Sequence, residues 1–457
     1  MIAGPWSHCG KTSVTLSFLY TLAQAGYKVQ PYKTGPDYLD GTYHRIACGT
    51  DSYNLDSWMS SSDFMKKHFL LSSRDCDIAI IEGAMGLFDG YEGSHSGSCY
   101  EIAKILDVPV LLVIDCKGFS GSIAPIIFGY LSYKTDVNII GVILNKVGSK
   151  NHLQYLREAL NGLSVKVFGH IFRNESIGLE HRHLGLVNAD QSMTRDKIRK
   201  ISEIVRRNID LDSLFTFQKK KSKIHNEKSN DRFSNINKQK KARIAIAYDE
   251  AFHFYYKYNL ELLEQAGADT IKFSPIHDRV LPENIQGIYL GGGYPEIFAE
   301  QLESNHDMIR NIQDFAECSG FIYAECGGLI YLGKTLEKQD KQFHFCRIFS
   351  LEFKMLPRKK ALGYVEIELI QDTILGNKEQ VARGHEFHYS EIKNTSTETD
   401  QIFDFAYEIK ARKNSKENKK RQCGYTYKNV LASYVHLYFA SNKSFAATFV
   451  NNCLQAG

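Results

Sequence analysis

Two short stretches of this chain combine residue types at spacings that do chemistry. The first is Gly4-Pro5-Trp6-Ser7-His8-Cys9-Gly10-Lys11-Thr12-Ser13. A Gly-Lys-Thr at the mouth of a helix turns backbone N–H groups and the positive end of the helix dipole toward phosphate oxygens. Lys11 supplies a cation for the β- and γ-phosphates, and the Thr12 hydroxyl suits Mg²⁺. Gly10, Lys11 and Thr12 are the expected ATP contacts, in a loop one residue longer than the standard P-loop spacing. The second stretch is Phe321-Ile322-Tyr323-Ala324-Glu325-Cys326-Gly327-Gly328-Leu329-Ile330. It reads as a strand, a cysteine, two glycines and a helix. A thiol on such a turn is exposed, and the helix dipole favours its thiolate, so Cys326 is the candidate nucleophile. Gly327 and Gly328 permit the turn and offer N–H groups to an oxyanion. Gly291-Gly292-Gly293, at the end of another strand, supplies further donors. Gly292, Gly293 and Gly327 are the expected oxyanion contacts. Three histidines qualify as base: His436, His385 and His388.

Carboxylates cluster in similar settings. Lys33-Thr34-Gly35-Pro36-Asp37-Tyr38-Leu39-Asp40 and Glu82-Gly83-Ala84-Met85-Gly86-Leu87-Phe88-Asp89-Gly90 each follow a strand-like run. A hard cation prefers oxygen ligands, so Asp37, Glu82 and Asp89 join Thr12 as candidate Mg²⁺ ligands. Asp115 and Asn145-Lys146 end two further runs.

The elements that position these groups are legible from hydrophobic periodicity. Ser13 to Ala25 is apolar at helical spacing and ends at Gly26. Val29 to Lys33, Ile78 to Ile81, Val110 to Ile114 and Ile139 to Leu144 are strands, the last three continuously apolar. Continuous runs separated by helix-length segments predict an α/β fold, a doubly wound parallel sheet covered on both faces. Functional groups in such folds collect at the carboxyl ends of the strands. Residues 218–241 turn polar and Lys/Asn-rich, as a solvated linker does. Lys410 to Arg421 reads as an exposed insertion. Arg243 to Ala247 opens a second domain, with a helix over Asn259 to Ala266 and a strand over Ile285 to Leu290. The expected domains are 1–217, the linker 218–241, and 242–457. No internal repeat is apparent.

A length of 457 residues fits two or three domains, and 43% hydrophobic with 24% charged residues is ordinary globular composition. A net charge of +4 over this length argues for neither nucleic acid nor a membrane surface. The ten cysteines include no Cys-x-x-Cys pair, which speaks against a zinc site or a disulfide framework. Apolar runs such as Val108 to Ile114 are too short to span a bilayer, and no signal peptide precedes the P-loop. The expectation is a reduced, soluble, cytoplasmic protein.

Along its whole length the chain resembles the cobyrinic acid a,c-diamide synthases of the corrinoid-pathway amidotransferase family. The matching stretches are the Lys33–Asp40 and Ile81–Gly90 segments, Asn54-Leu55-Asp56, His183-Leu184-Gly185-Leu186 and Ala251-Phe252-His253-Phe254-Tyr255-Tyr256. They continue with Gly293-Tyr294-Pro295-Glu296, Ala324-Glu325-Cys326-Gly327-Gly328 and Arg383-Gly384-His385-Glu386-Phe387-His388. The resemblance implies an N-terminal ATP-dependent synthetase domain and a C-terminal class I glutamine amidotransferase domain of α/β type. It implies Cys326 as nucleophile, His436 as its base, and no third triad carboxylate. Tyr438 stands where relatives often carry a second histidine. Asp37, Glu82 and Asp89 are implied at the phosphoryl-transfer site, Asp37, Tyr38 and Leu39 against the tetrapyrrole, and Asn145 in reading adenine. The implied substrates are cobyrinate or a related tetrapyrrole, L-glutamine and ATP with Mg²⁺. Two alternatives stand beside this reading. One is the same reaction on nickel sirohydrochlorin or hydrogenobyrinate, and the other a P-loop regulatory ATPase whose amidotransferase domain is inactive.

Overall fold

A computed structural model of the chain describes residues 1–173, 191–211, 213–214, 241–393, 404–410 and 420–455. The stretch His183 to Leu186 and nearly all of 218–241 lie outside these residues, as does most of 410–421. The chain divides into two compact units, Met1–Asn230 and Asp231–Gly457.

In the first unit seven strands form one parallel sheet: β1 Ile2–Ala3, β2 Val29–Thr34, β3 Tyr53–Leu55, β4 Ile78–Glu82, β5 Val110–Asp115, β6 Ile139–Val147 and β7 Val167–Phe172. Their order is β3-β2-β4-β1-β5-β6-β7, so the two-residue β1 lies inside the sheet between β4 and β5. Alternate side chains point to opposite faces of a strand. Leu111 and Val113 accordingly join a core with Val14, Phe18 and Ile198 on one face. Val110, Leu112 and Ile114 join another with Tyr100, Ala103, Ile127 and Leu156 on the other. Both faces are covered, which is why these strands read as unbroken apolar runs. The P-loop leaves β1 at the sheet centre and enters the helix Lys11–Gln24. The loops after β2, β4 and β5 leave from the same edge, because all these strands run the same way.

In the second unit the strands are β8 Ala242–Ala247, β9 Phe252–Phe254, β10 Ala268–Phe273, β11 Gly287–Leu290, β12 Gly292–Gly293, β13 Phe321–Glu325, β14 Thr335–Lys338, β15 Lys341–His344, β16 Glu352–Met355, β17 Ala361–Leu369, β18 Val381–His388, β19 Ser390–Ile392, β20 Asp404–Ile409, β21 Arg421–Tyr427, β22 Val430–Ser433 and β23 His436–Leu437. A ten-stranded sheet has the order β10-β8-β11-β13-β22-β21-β20-β17-β18-β23. From β10 to β22 it is parallel, and beyond β22 it is antiparallel. One face of its parallel part buries Ile288, Leu290, Ile322 and Ala324. Tyr289 and Tyr323 pack as an aromatic pair 5.1 Å apart, with Phe439 5.7 Å from Tyr323. Among the described residues no helix is long and apolar enough to cross a membrane, and all ten cysteines are free thiols.

Candidate active site

In the first unit the P-loop turns into its helix at Gly10, whose φ of 101° lies in the left-handed region. A Cβ there would come 2.0 Å from Asn145 Nδ2, so the position demands glycine on two counts. Asn145 Nδ2 donates to the Cys9 carbonyl at 2.9 Å, and Lys146 Nζ to the His8 carbonyl at 2.9 Å. The end of β6 thus braces the loop from behind. Lys11 Nζ donates to the carbonyls of Trp6 and Met85 at 2.9 and 2.7 Å, tying the P-loop to the loop after β4. On that loop Asp89 Oδ2 accepts from Gly86 N at 2.8 Å.

Glu82, buried at the carboxyl end of β4, is the hub. Its Oε1 accepts from Thr12 Oγ1 at 2.6 Å and from Lys33 Nζ at 2.9 Å, and its Oε2 meets His44 Nε2 at 2.8 Å. His44 Nδ1 in turn meets Ser52 Oγ at 2.9 Å. Burial opposes the charge on Glu82, but Lys33, His44 and Thr12 outweigh it and hold the carboxyl well below the usual range. Lys33 is buried too, with Asp40 Oδ2 at 2.6 Å and Asp37 Oδ2 at 3.9 Å. Burial alone would lower its pKa, yet Asp40, Glu82 and Asp37 together raise it well above the ordinary lysine value. Asp37 Oδ1 accepts from the N–H groups of Leu39 and Asp40 at 2.9 and 3.2 Å, which fixes the start of the helix Leu39–Cys48 beside Tyr38. Asp37 and Glu82 therefore meet around Lys33, whereas Asp89 serves its own loop. Among the described residues no three His, Cys, Asp or Glu side chains are grouped as a metal cage. The abutting oxygens of Thr12 and Glu82 suit Mg²⁺, which is commonly held through one or two protein oxygens plus substrate phosphates.

In the second unit Cys326 follows β13 at φ 49°, ψ −99°, a strained turn that leads directly into the helix Gly327–Leu332. Its N–H donates to Ser433 O at 2.7 Å, anchoring the turn to β22. The next residue needs to be small, since a Cβ on Gly327 would stand 3.1 Å from Gly293 N and 3.0 Å from Pro295 Cδ. A Cβ on Gly328 would stand 2.4 Å from the Leu290 carbonyl. A Cβ on Gly292 would reach 2.3 Å from His436 Cε1. Gly292, Gly293, Gly327, Cys326 and His436 are thus brought together from β12, the turn and helix after β13, and β23. Burial would make His436 less basic, but Cys326 and then Glu325 outweigh it and raise its pKa to about 10.

The other two histidines fall differently. His385 stacks on His436 with ring centroids 4.8 Å apart, and its Nδ1 meets Tyr256 OH at 2.8 Å. Burial, helped by the charge on His436, holds its pKa well below normal. His388 lies three residues further along β18 and stacks on Tyr434 at 3.8 Å, its Nδ1 facing Ser390 O at 2.7 Å. Sequence reasoning also passed over three supports. Asn259 clamps the backbone after His436, donating to Leu437 O at 2.7 Å and accepting from Phe439 N at 2.8 Å. Lys33 and His44 organise Glu82. Lys33 stood in plain view at the end of a predicted strand, ahead of two aspartates.

Comparison with known proteins agrees with this picture of two centres. Residues 1–186 match the CobQ/CobB/MinD/ParA nucleotide binding domain, and residues 243–444 the CobB/CobQ-like glutamine amidotransferase domain. Proteins named cobyrinate a,c-diamide synthase are similar over the full length. That of Caldanaerobacter subterraneus subsp. tengcongensis is 39% identical, covering 100% of this chain and 98% of its own. That of Syntrophotalea carbinolica is 39% identical over 99% and 98%, and that of Listeria innocua 38% over 97% and 96%. With an ATP-type phosphate loop in one unit, a cysteine–histidine centre in the other and relatives matching end to end, the chain belongs to the cobyrinate a,c-diamide synthase family of glutamine-hydrolysing amidotransferase ligases.

Proposed function

We propose that the chain amidates the a and c carboxylates of cobyrinate, using ATP and glutamine, as a soluble cytoplasmic enzyme of cobalamin biosynthesis. The observation that carries this reading is the pairing, on one chain, of Cys326 beside His436 with a phosphate loop whose Thr12 abuts Glu82. Residues 242–457 do the glutaminase work, 1–217 the synthetase work, and 218–241 link them.

In the glutaminase centre Cys326 Sγ attacks the side-chain amide carbon of glutamine. The developing oxyanion meets the N–H groups of Gly292, Gly293 and Gly327. His436 carries the thiol proton to the departing nitrogen, ammonia leaves, and water then clears the thioester as glutamate. In the synthetase centre a substrate carboxylate oxygen attacks the γ-phosphorus and ADP leaves, giving an acyl phosphate. Gly10 N–H and the Lys11 ammonium bind the phosphates, and Asn145 reads adenine. Mg²⁺, when bound, neutralises charge on the phosphate oxygens; Thr12 and Glu82 would hold it, with Asp37 and Asp89 as further candidate ligands. Asp37, Tyr38 and Leu39 orient the macrocycle. Ammonia then attacks the acyl carbon and phosphate leaves, which completes the amide.

The test separates the two centres. Cys326→Ser is expected to lose glutamine hydrolysis while still adding ammonia to cobyrinate, read as two successive amide mass changes. Lys11→Ala is expected to lose amidation with either nitrogen source. Glutamine hydrolysis at the parental rate in Cys326→Ser removes the proposed nucleophile. No mass change on cobyrinate with ammonia and ATP removes the proposed substrate.

A further inference from the structure

Cys326 and His436 account for two members of a nucleophile–base–orienter arrangement, and the fold supplies a third group from an unexpected place. Glu325 immediately precedes the nucleophile. Its Oε2 lies 3.8 Å from His436 Nδ1. The carboxylate is fully buried and held from three directions. Tyr323 OH donates to Oε1 at 2.6 Å, Leu437 N to Oε1 at 3.0 Å, and Tyr289 OH to Oε2 at 2.9 Å. Two of these donors sit on neighbouring parallel strands, Tyr289 on β11 and Tyr323 on β13, paired in register. The third belongs to the residue that follows His436. One carboxylate thereby fixes both the sheet and the backbone that carries the base.

We propose that Glu325 is the positioning carboxylate of the glutaminase centre, holding the His436 ring and stabilising its protonated form while Cys326 is a thiolate. This rests on the reading of Cys326 and His436 as the nucleophile and base. The argument is one of charge and constraint. A carboxylate beside Nδ1 favours the imidazolium, and it favours the ring orientation that aims Nε2 at the thiol. A carboxylate buried among two phenols and one amide keeps acceptor capacity for a fourth donor. His385 is stacked face to face on the ring and its Nδ1 meets Tyr256 OH, while Tyr289 and Tyr323 donate to Glu325.

A purely structural pin would also be damaged by substitution, so the test reads more than activity. In Glu325→Gln we expect kcat for glutamine hydrolysis to fall roughly 10²–10⁴-fold with KM little changed. The rate of Cys326 alkylation by iodoacetamide should change with it. Its alkaline limb, which follows loss of the His436 proton, is expected at lower pH than in the parent, because the negative charge that retains the proton is gone. An unmoved limb, or an unchanged kcat, overturns the proposal. Should Glu325→Gln not fold, Glu325→Asp keeps the charge but draws it away from the ring. A lowered kcat with a retained alkaline limb supports the proposal, and parental kcat overturns it. Cys326→Ser, run alongside, separates the two levels of inference. Hydrolysis surviving in Cys326→Ser removes the nucleophile itself. Hydrolysis lost there but undiminished in Glu325→Gln removes only the role of Glu325.

Discussion

His436 and His385 are neighbours with opposite electrostatics. The rings stack, yet one is held strongly basic by Cys326 and Glu325 despite its burial, and the other is held neutral by burial and by its charged neighbour. Two stacked imidazolium rings would repel, so charging one keeps the other uncharged. His436 stands beside Cys326, and His385, tied to Tyr256, backs it. His436→Ala is therefore expected to lower glutaminase kcat roughly 10²–10⁴-fold, the usual worth of general-base help. His385→Ala should cost clearly less. A greater loss at His385 would assign the base to the wrong ring, and steady-state glutaminase kinetics on both variants decide it.

At the level of elements, glycine backbone shapes both centres by close approach. Gly292 on β12 faces the Cε1 edge of the His436 ring, and Gly10 faces Nδ2 of Asn145 at the start of the P-loop helix. Added methyl groups at the two positions have separable consequences. Gly292→Ala is expected to displace the ring and cut glutamine hydrolysis about 10²-fold, the order of loss when catalytic groups shift by about 1 Å. Amidation with free ammonia should persist. Gly10→Ala forces both an unfavourable φ and a clash with Asn145, so ATP-dependent amidation should fail with either nitrogen source. Identical losses in the two variants would mean that the substitutions act through general misfolding, which circular dichroism and thermal melts would register.

Across the whole chain, separate units for ammonia release and carboxylate activation imply a particular kinetic behaviour. With one phosphate loop serving two carboxylates of a macrocycle, the substrate must reorient or leave between steps, since each carboxylate has to reach about 3–3.5 Å from the γ-phosphorus. A singly amidated product is accordingly expected free in solution when enzyme is scarce. In a pulse–chase experiment, labelled monoamide should dilute into unlabelled substrate. Labelled diamide forming without any free monoamide would show that both amidations occur in one binding event.

Much of this was legible in one dimension because its causes are local. Lys11, Thr12 and Cys326 are marked by glycines that must lie within a few residues of them, and the parallel sheet by apolar runs that need no partner to be recognised. The supports are different. Spacing along β18 separates His385 from His388, but only the pairing of β18 with β23 sets His385 against His436. Strand alternation places Glu325 with Tyr323, on the face opposite Ala324. Its approach to His436 depends on the turn at Cys326 and on how the chain swings out of β22 after Ser433. The gathering of Asp37, Asp40 and Glu82 around Lys33, with His44 on Glu82, likewise depends on β2 lying beside β4. Residue type and spacing named the candidate reacting groups of this protein. Sheet order, which juxtaposes residues far apart in the chain, decided which charges surround them and hence which protons they hold.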